Sequence, residues 1–206
     1  MFKPKSFVIA ALFFFLPYSI KASAQSINDR YPYAALYYYG VTVTDSLLHI
    51  WAANRWPEHI QSLELAYTLS PENSFRRAFK PLVGVVQIAG NVAIRFDRGH
   101  QRIYEFDPYI PFRWTNFPWN HVFPTSLAIG EGISYVTRVP SLEKRHNCET
   151  KRLLNYLVLE ATFSLVRYPQ VQLVARIHHR SGAFGLYRAE NAGSNDVGLG
   201  IRYLFN

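Results

Sequence analysis

The chain has 206 residues, of which 49% are hydrophobic, 16% are aromatic and only 17% are charged, and its formal net charge is +8. This length suits one domain, and after the first two dozen residues no stretch approaches the roughly 18 consecutive apolar residues that a membrane-spanning helix needs. The single cysteine, Cys148, excludes an intrachain disulfide.

The N-terminal segment has the pattern of a cleavable signal peptide over residues 1–24. Lys3 and Lys5 form a basic start, "FVIAALFFFLPYSI" is an apolar core, and "ASA" precedes Gln25 as a cleavage site. We therefore expect an exported protein with a single domain over residues 25–206. Since the segment carries three lysines, the mature charge is +5. For an exported chain this charge favours contact with anionic lipid headgroups rather than with nucleic acid.

The mature chain has the alternation of β-strands, and no stretch has a convincing helical period with caps. Eight strands are predicted, near residues 32–43, 59–70, 81–96, 101–115, 124–137, 152–166, 171–184 and 194–205. The even count, and lengths close to the roughly 9–11 residues of a tilted membrane-crossing strand, are typical of an outer-membrane barrel.

Each well-patterned strand has one apolar and one polar face. The polar faces carry charges in mid-strand, namely Glu64, Arg95, Glu160, Arg176 and Arg202. Such charges can pair inside a narrow lumen while the apolar face meets lipid. We therefore predict an all-β fold, an eight-stranded antiparallel transmembrane β-barrel. A soluble periplasmic barrel that binds a lipid inside is an alternative, and it would reverse the two faces.

Three segments depart from this regularity. The stretch "FDPYIPFRWTNFPWN" holds three prolines that cannot donate to a strand ladder, so bulges or a strand end are expected there. Glu131 falls on the otherwise apolar face of the fifth strand, so the sequence does not decide which face of that strand points toward lipid. The charged segment 140–152 is predicted to be a solvated loop, with Cys148 incidental within it.

The predicted seventh strand, in "VQLVARIHHRSGAFG", ends its apolar face in His179 and Ser181. Period 2 puts both side chains on one face, with Cα atoms roughly 6.5–7 Å apart. The apolar face of the last strand, extended back from Val197, begins with Asn195 on the same side of the hairpin. A histidine can take the proton of a serine while a third polar group orients the imidazole. His178 points away from His179, so no metal site is predicted at this pair.

The hairpin "ARIHHRSGAFGLYRAENAGSNDVGLGIRYLF" resembles the PagL-type lipid A 3-O-deacylase family, with weaker similarity through "LNYLVLEATFSLV" and "GEGISY". The resemblance implies an eight-stranded barrel whose membrane-facing Ser-His-Glu site cleaves a 3-hydroxyacyl ester of lipid A. In this chain His179 is similar to the family's general base and Ser181 to its nucleophile. The family's glutamate position falls on Asn195, and Glu190 is the alternative third residue. The Gly182 backbone N–H is a candidate oxyanion donor.

We therefore expect a serine esterase of the Gram-negative outer membrane that removes an acyl chain from lipid A without a cofactor. If the first strand starts in the periplasm, the seventh runs outward, and the site meets lipopolysaccharide in the outer leaflet. Basic residues near the site could contact its phosphates, namely Arg180, Arg188, Lys144, Arg145, Lys151 and Arg152. The alternative is a non-catalytic barrel with a structural or adhesive role, which Asn195 in place of glutamate favours. Whether the protein forms a homodimer stays open.

Overall fold

The computed structural model describes residues 26–44, 47–97, 101–146, 150–189 and 192–206. The strands are β1 (Tyr33–Val43), β2 (Arg55–Thr68), β3 (Val85–Asp97), β4 (Gln101–Trp114), β5 (Thr125–Val136), β6 (Leu153–Leu165), β7 (Tyr168–Ser181) and β8 (Gly193–Phe205). The α-helices are α1 (Ile27–Arg30), α2 (Ser74–Phe79) and α3 (Ser141–His146), and short 3-10 helices cover Leu47–Ala52 and Ala183–Gly185. The predicted signal peptide and Cys148 lie outside the described residues. Within the described residues, no helix has the length and apolarity that a membrane crossing requires.

The strands form one closed sheet. Each strand pairs antiparallel with its neighbour in the chain, and β8 pairs with β1, so that Tyr33 opposes Phe205 and Val43 opposes Asn195. Closure leaves no sheet edge and satisfies the backbone groups of every strand, as lipid demands. The predicted eight-stranded antiparallel β-barrel is therefore confirmed. We call the end where β1 starts and β8 stops the terminal end, and the opposite end, with the connections β1–β2, β5–β6 and β7–β8, the distal end.

The outside of the barrel is apolar and the inside is polar. Leu63 and Leu65 of β2 are 67% and 65% exposed, and Ile201 of β8 is 61% exposed. A belt of exposed apolar side chains of this size is typical of a surface that meets lipid. The buried lumen-facing residues include Glu64, Arg95, Glu105, Glu160, Arg176, His178, Asp196 and Arg202. The alternative of a soluble barrel with an apolar lumen is therefore wrong.

One set of lumen residues centres on Glu160, toward the terminal end. The Glu160 carboxylate accepts hydrogen bonds from Arg113 at 2.6 Å, Arg176 at 2.5 Å and Arg202 at 2.5 Å. Arg176 also donates to Glu64 at 2.6 Å. We call these five residues the Glu160 cluster, and four of them, all except Arg113, are among the inward charges that the sequence predicted.

A second set centres on Glu105, toward the distal end. Arg95 donates to Glu105 at 3.1 Å and to Asp196 at 2.7 Å, and His178 Nε2 lies 2.8 Å from Glu105 Oε1. The Arg180 guanidinium lies 3.8 Å from Glu105. We call these five residues the Glu105 cluster. The two clusters fill the lumen with partnered charges, which supports the barrel wall from inside.

Helices cover both ends of the barrel. At the terminal end, Ile27 packs against the buried cluster that includes Ala34, and Asp29 pairs with Arg76 of α2 at 2.5 Å. At the distal end, α3 carries Glu143 into the barrel, where it accepts from Arg180 Nε at 2.9 Å and Ser194 Oγ at 2.8 Å. The prediction of a solvated loop over 140–152 is therefore wrong for this helix, because the protein uses Glu143 to partner a buried arginine.

The prolines are accommodated in two different ways. Pro108 and Pro111 lie inside β4, and its register with β3 and β5 does not shift around them, so the expected bulges are absent from these pairs. The third proline, Pro118, falls in the β4–β5 connection and fits the expected strand end. In contrast, β2 begins at Arg55, ahead of Pro57, and its register with β1 shifts near this position. The missing backbone N–H of a proline is thus tolerated in β4, which pairs with a neighbouring strand on both sides.

Candidate functional site

The distal half of the β7–β8 hairpin places His179 and Asn195 directly opposite each other. The two side chains point outward, and the His179 Nδ1 lies 2.6 Å from the Asn195 Oδ1. An amide oxygen only accepts, so Nδ1 carries the proton and donates it, which leaves Nε2 as the basic nitrogen. Asn195 is only 5% exposed although it lies on the outward side. This contact therefore holds the imidazole in one orientation at the edge of the apolar belt.

Ser181 is the last residue of β7 and lies on the same outward face, two positions beyond His179. It is half-buried, with Gly193 of β8 opposite on one side and Asn155 of β6 opposite on the other. The hairpin thus places the three outward residues that the sequence singled out on one face, and a hydrogen bond joins His179 and Asn195.

The loop after Ser181 turns sharply at Gly182. A Cβ at this position would lie 1.6 Å from the Ala189 carbonyl oxygen, so only glycine fits. The Gly182 N–H, the candidate oxyanion donor, donates to the Ala192 carbonyl at 3.1 Å. In this structure the N–H is therefore engaged within the loop. Glu190, the alternative third residue, lies outside the described residues.

The arrangement suits proton transfer to and from a serine. A histidine with an oriented ring can accept the Ser181 proton at Nε2 and later return it to a leaving group. Asn195 orients the ring but carries no charge to balance the imidazolium that forms. One face of the hairpin therefore carries a hydroxyl, an imidazole and an orienting amide, and this amide would give a protonated ring weaker electrostatic support than a carboxylate would.

Comparisons with known proteins find similarity among solved structures. No family model matches the chain, and neither does any curated protein. Among solved structures, it is similar to the outer-membrane enzyme PagL, with 12% identity over 82% of this chain and 98% of PagL, and a TM-score of 0.49. It is also similar to the Neisserial surface protein A (NspA), with 10% identity over 84% of this chain and 96% of NspA, and a TM-score of 0.46. The Yersinia pestis outer membrane protein Ail has 11% identity over 84% of this chain and 99% of Ail, with a TM-score of 0.40.

A separate group of ligand-type side chains lies in the lumen. Glu105, Asp107 and His178 have carboxylate and imidazole atoms within 4.8 Å of one another, all buried. No local sequence pattern indicates this group, because its members come from β4 and β7. Arg95 already pairs with Glu105, and Asn91 donates to Asp107 at 2.7 Å. His178 also contacts Glu105 and the Tyr156 hydroxyl, so the chain itself partners all three side chains.

Among the described residues, the exposed charges at the distal end share one sign. Eight basic residues are exposed there, namely Arg55, Arg102, Arg138, Lys144, Arg145, Lys151, Arg152 and Arg188. In the described part of this end, the acidic residues Glu58, Asp97, Glu143 and Asp196 are all buried. We call the eight residues the basic collar. Arg180 was expected to face lipid phosphates, and this expectation is wrong, since its side chain is fully buried against Glu143.

Proposed function

We propose that this protein is an outer-membrane serine esterase that hydrolyses an ester-linked acyl chain of lipid A, and that it is related to the PagL-type deacylases. The observation that carries the proposal is the His179–Asn195 contact beside Ser181, on the side of the barrel that faces lipid. A reactive serine on that side can meet an acyl ester without first drawing it into a lumen that is filled by ion pairs.

The proposed reaction uses three side chains. Ser181 Oγ attacks the ester carbonyl carbon while His179 Nε2 takes the hydroxyl proton. The tetrahedral intermediate collapses, the sugar oxygen leaves with the proton from His179, and the acyl chain stays on Ser181. Water, deprotonated by the same nitrogen, then attacks the acyl carbon, and the fatty acid is released as the bond to Ser181 Oγ breaks and the proton returns to that oxygen. Asn195 holds the ring throughout, and no cofactor is part of this scheme.

The basic collar supports a phosphorylated lipid as the substrate. Its eight side chains ring the end of the barrel next to Ser181, and a lipid A molecule whose ester lies at Ser181 would bring its phosphates to this level. Each basic residue near an anionic membrane surface contributes about 1 kcal/mol of attraction. Arginine adds bidentate hydrogen bonds to phosphate oxygens.

A non-catalytic barrel with a structural or adhesive role is the second candidate. It is favoured by Asn195, which stands where a catalytic site of this type would carry a carboxylate. The two candidates make different predictions for the same substitution, Ser181→Ala, because a structural barrel does not need the hydroxyl group.

The test is mass spectrometry of lipid A from a Gram-negative host that expresses the chain. We expect the loss of one hydroxyacyl mass with the wild-type protein, and a rate at least about 1,000-fold lower with Ser181→Ala. Both proteins must be present at equal levels in the membrane and shift equally in heat-modifiability electrophoresis.

The matched control is His59→Ala. His59 also faces outward, on the far wall, where it stacks on Phe96 with ring centroids 4.7 Å apart. We expect this variant to deacylate lipid A normally. Unchanged lipid A with folded wild-type protein, in two hosts with different acyl chains, would favour the structural barrel.

A further inference from the structure

Two polar side chains extend the site onto the neighbouring strands β5 and β6. Glu131 of β5 is exposed on the outward side, between Ile129 and Ile133, which are 41% and 43% exposed to the membrane side. Asn155 of β6 also lies on the outward, half-buried side of its strand. Ionisable side chains on a lipid-facing surface reduce stability and for that reason commonly mark function.

The strand register brings these residues to Ser181. Asn155 is the direct partner of Ser181 across β6 and β7, a position that puts Cβ atoms about 4.5–5.5 Å apart. Leu157, the next outward residue of β6, opposes His179 on one side and Glu131 on the other. Glu131 is thus a diagonal neighbour of Asn155, and its carboxylate is within hydrogen-bonding reach of the Asn155 side chain.

Ser181, the proposed nucleophile, has different neighbours on its two sides. On the β8 side its partner is Gly193, which has no side chain, and on the β6 side its partner is the Asn155 amide. The Gly182 N–H, which follows Ser181 directly, is engaged with Ala192. Acyl transfer from an ester needs a donor for the negative charge that develops on the carbonyl oxygen. Among these neighbours, Asn155 is the one that offers a side-chain donor.

We infer that Asn155 is the oxyanion donor of this site and that Glu131 is its positioning residue. An amide nitrogen carries two N–H groups, so one can donate to Glu131 while the other points toward the substrate. The inference rests on the proposed function. When Ser181 Oγ bonds to the ester carbon, the carbonyl π pair moves to oxygen and the serine proton moves to His179. Asn155 donates to that oxygen until the intermediate collapses and the alcohol leaves with the proton.

The test compares purified wild-type protein with Asn155→Leu and Glu131→Leu on lipid A in detergent micelles. For Asn155→Leu we expect kcat to fall about 100- to 1,000-fold with KM nearly unchanged, because the oxyanion exists only in the transition state. Inhibition by a long-chain trifluoromethyl ketone, which forms a tetrahedral adduct with serine, should weaken by a similar factor. For Glu131→Leu we expect a smaller fall in kcat, partly rescued by Glu131→Gln, which retains an acceptor oxygen.

Gln61→Leu is the matched control, since Gln61 is an outward amide on β2 that accepts from Tyr37 at 3.4 Å. This variant should retain the wild-type kcat and be inhibited by the trifluoromethyl ketone as strongly as the wild type is. If Asn155→Leu keeps full kcat while Ser181→Ala loses it, the oxyanion role is overturned and the esterase stands. If Asn155→Leu changes KM and kcat in equal proportion and leaves inhibition by the ketone unchanged, Asn155 has a structural role and is not the oxyanion donor. A folded wild-type protein with no Ser181-dependent hydrolysis would overturn both proposals.

Discussion

His178 and His179 are neighbours in the chain, and their environments are opposite. His178 points into the lumen, where Nε2 contacts Glu105 at 2.8 Å and Nδ1 contacts the Tyr156 hydroxyl at 3.0 Å. His179 points outward, and its Nδ1 contacts the Asn195 Oδ1 at 2.6 Å. The inner histidine is held from both nitrogens, whereas the outer one retains a basic nitrogen for chemistry.

The same contrast separates the lumen from the outer surface as a whole. Inside, the polar atoms belong to ion pairs such as those of the Glu160 cluster, and removing one member leaves buried charges unbalanced. Outside, the polar residues Glu131, Asn155, His179 and Ser181 interrupt a belt of apolar side chains. Interior polar groups therefore stabilise the fold together, while these four exterior residues weaken the lipid contact, which the proposed function would account for.

The strongest test of this contrast is the same substitution, glutamate to glutamine, made once in the lumen and once on the outer surface. Glu160→Gln removes the acceptor charge shared by Arg113, Arg176 and Arg202. We expect it to lower the free energy of unfolding by about 3–5 kcal/mol. Glu131→Gln should leave that free energy unchanged or raise it by up to about 1 kcal/mol, since a carboxylate facing lipid is unfavourable.

Both values come from urea titrations in lipid vesicles, monitored by heat-modifiability electrophoresis. If Glu160→Gln lowered the free energy of unfolding no more than Glu131→Gln does, the lumen pairs would not support the barrel.

The two histidines provide a test of intermediate size. His178→Gln removes a ring that bridges Glu105 and Tyr156, and we expect it to cost about 1–3 kcal/mol of stability while deacylation per folded molecule is retained. His179→Gln should leave stability within about 0.5 kcal/mol and abolish deacylation. Unfolding titrations and lipid A mass spectrometry on the same preparations separate the two effects. Loss of activity in the His178 variant with full stability would contradict this division of roles.

The smallest expected effect comes from restoring a charge to the outer site. In Asn195→Glu, a carboxylate would accept from His179 Nδ1 and also balance the imidazolium that forms. We expect kcat to rise about tenfold, which corresponds to about 1.4 kcal/mol in the transition state. The control is Asn195→Gln, which lengthens the side chain equally without the charge. A rate for Asn195→Glu at or below that of Asn195→Gln would show that charge at this position does not limit the reaction.

Part of the fold could be predicted from the sequence because strand patterning is local. Side chains alternate between faces with period 2, so the opposite facing of His178 and His179 follows from their being adjacent. The same rule identified the mid-strand charges that pair in the lumen and the three outward residues of the last hairpin. Strand ends were less well defined, as with β7, which ends at Ser181 rather than near residue 184 because the loop turns at Gly182.

The sequence by itself thus determined the fold class, the facing of most strands and the candidates His179, Ser181 and Asn195. Only the tertiary structure decided which distant residues meet. The register of β5, β6 and β7 brings Glu131 and Asn155 to Ser181, and α3 turns Glu143 inward to partner Arg180. These contacts depend on how strands far apart in sequence are staggered when the barrel closes, and no local pattern encodes that stagger.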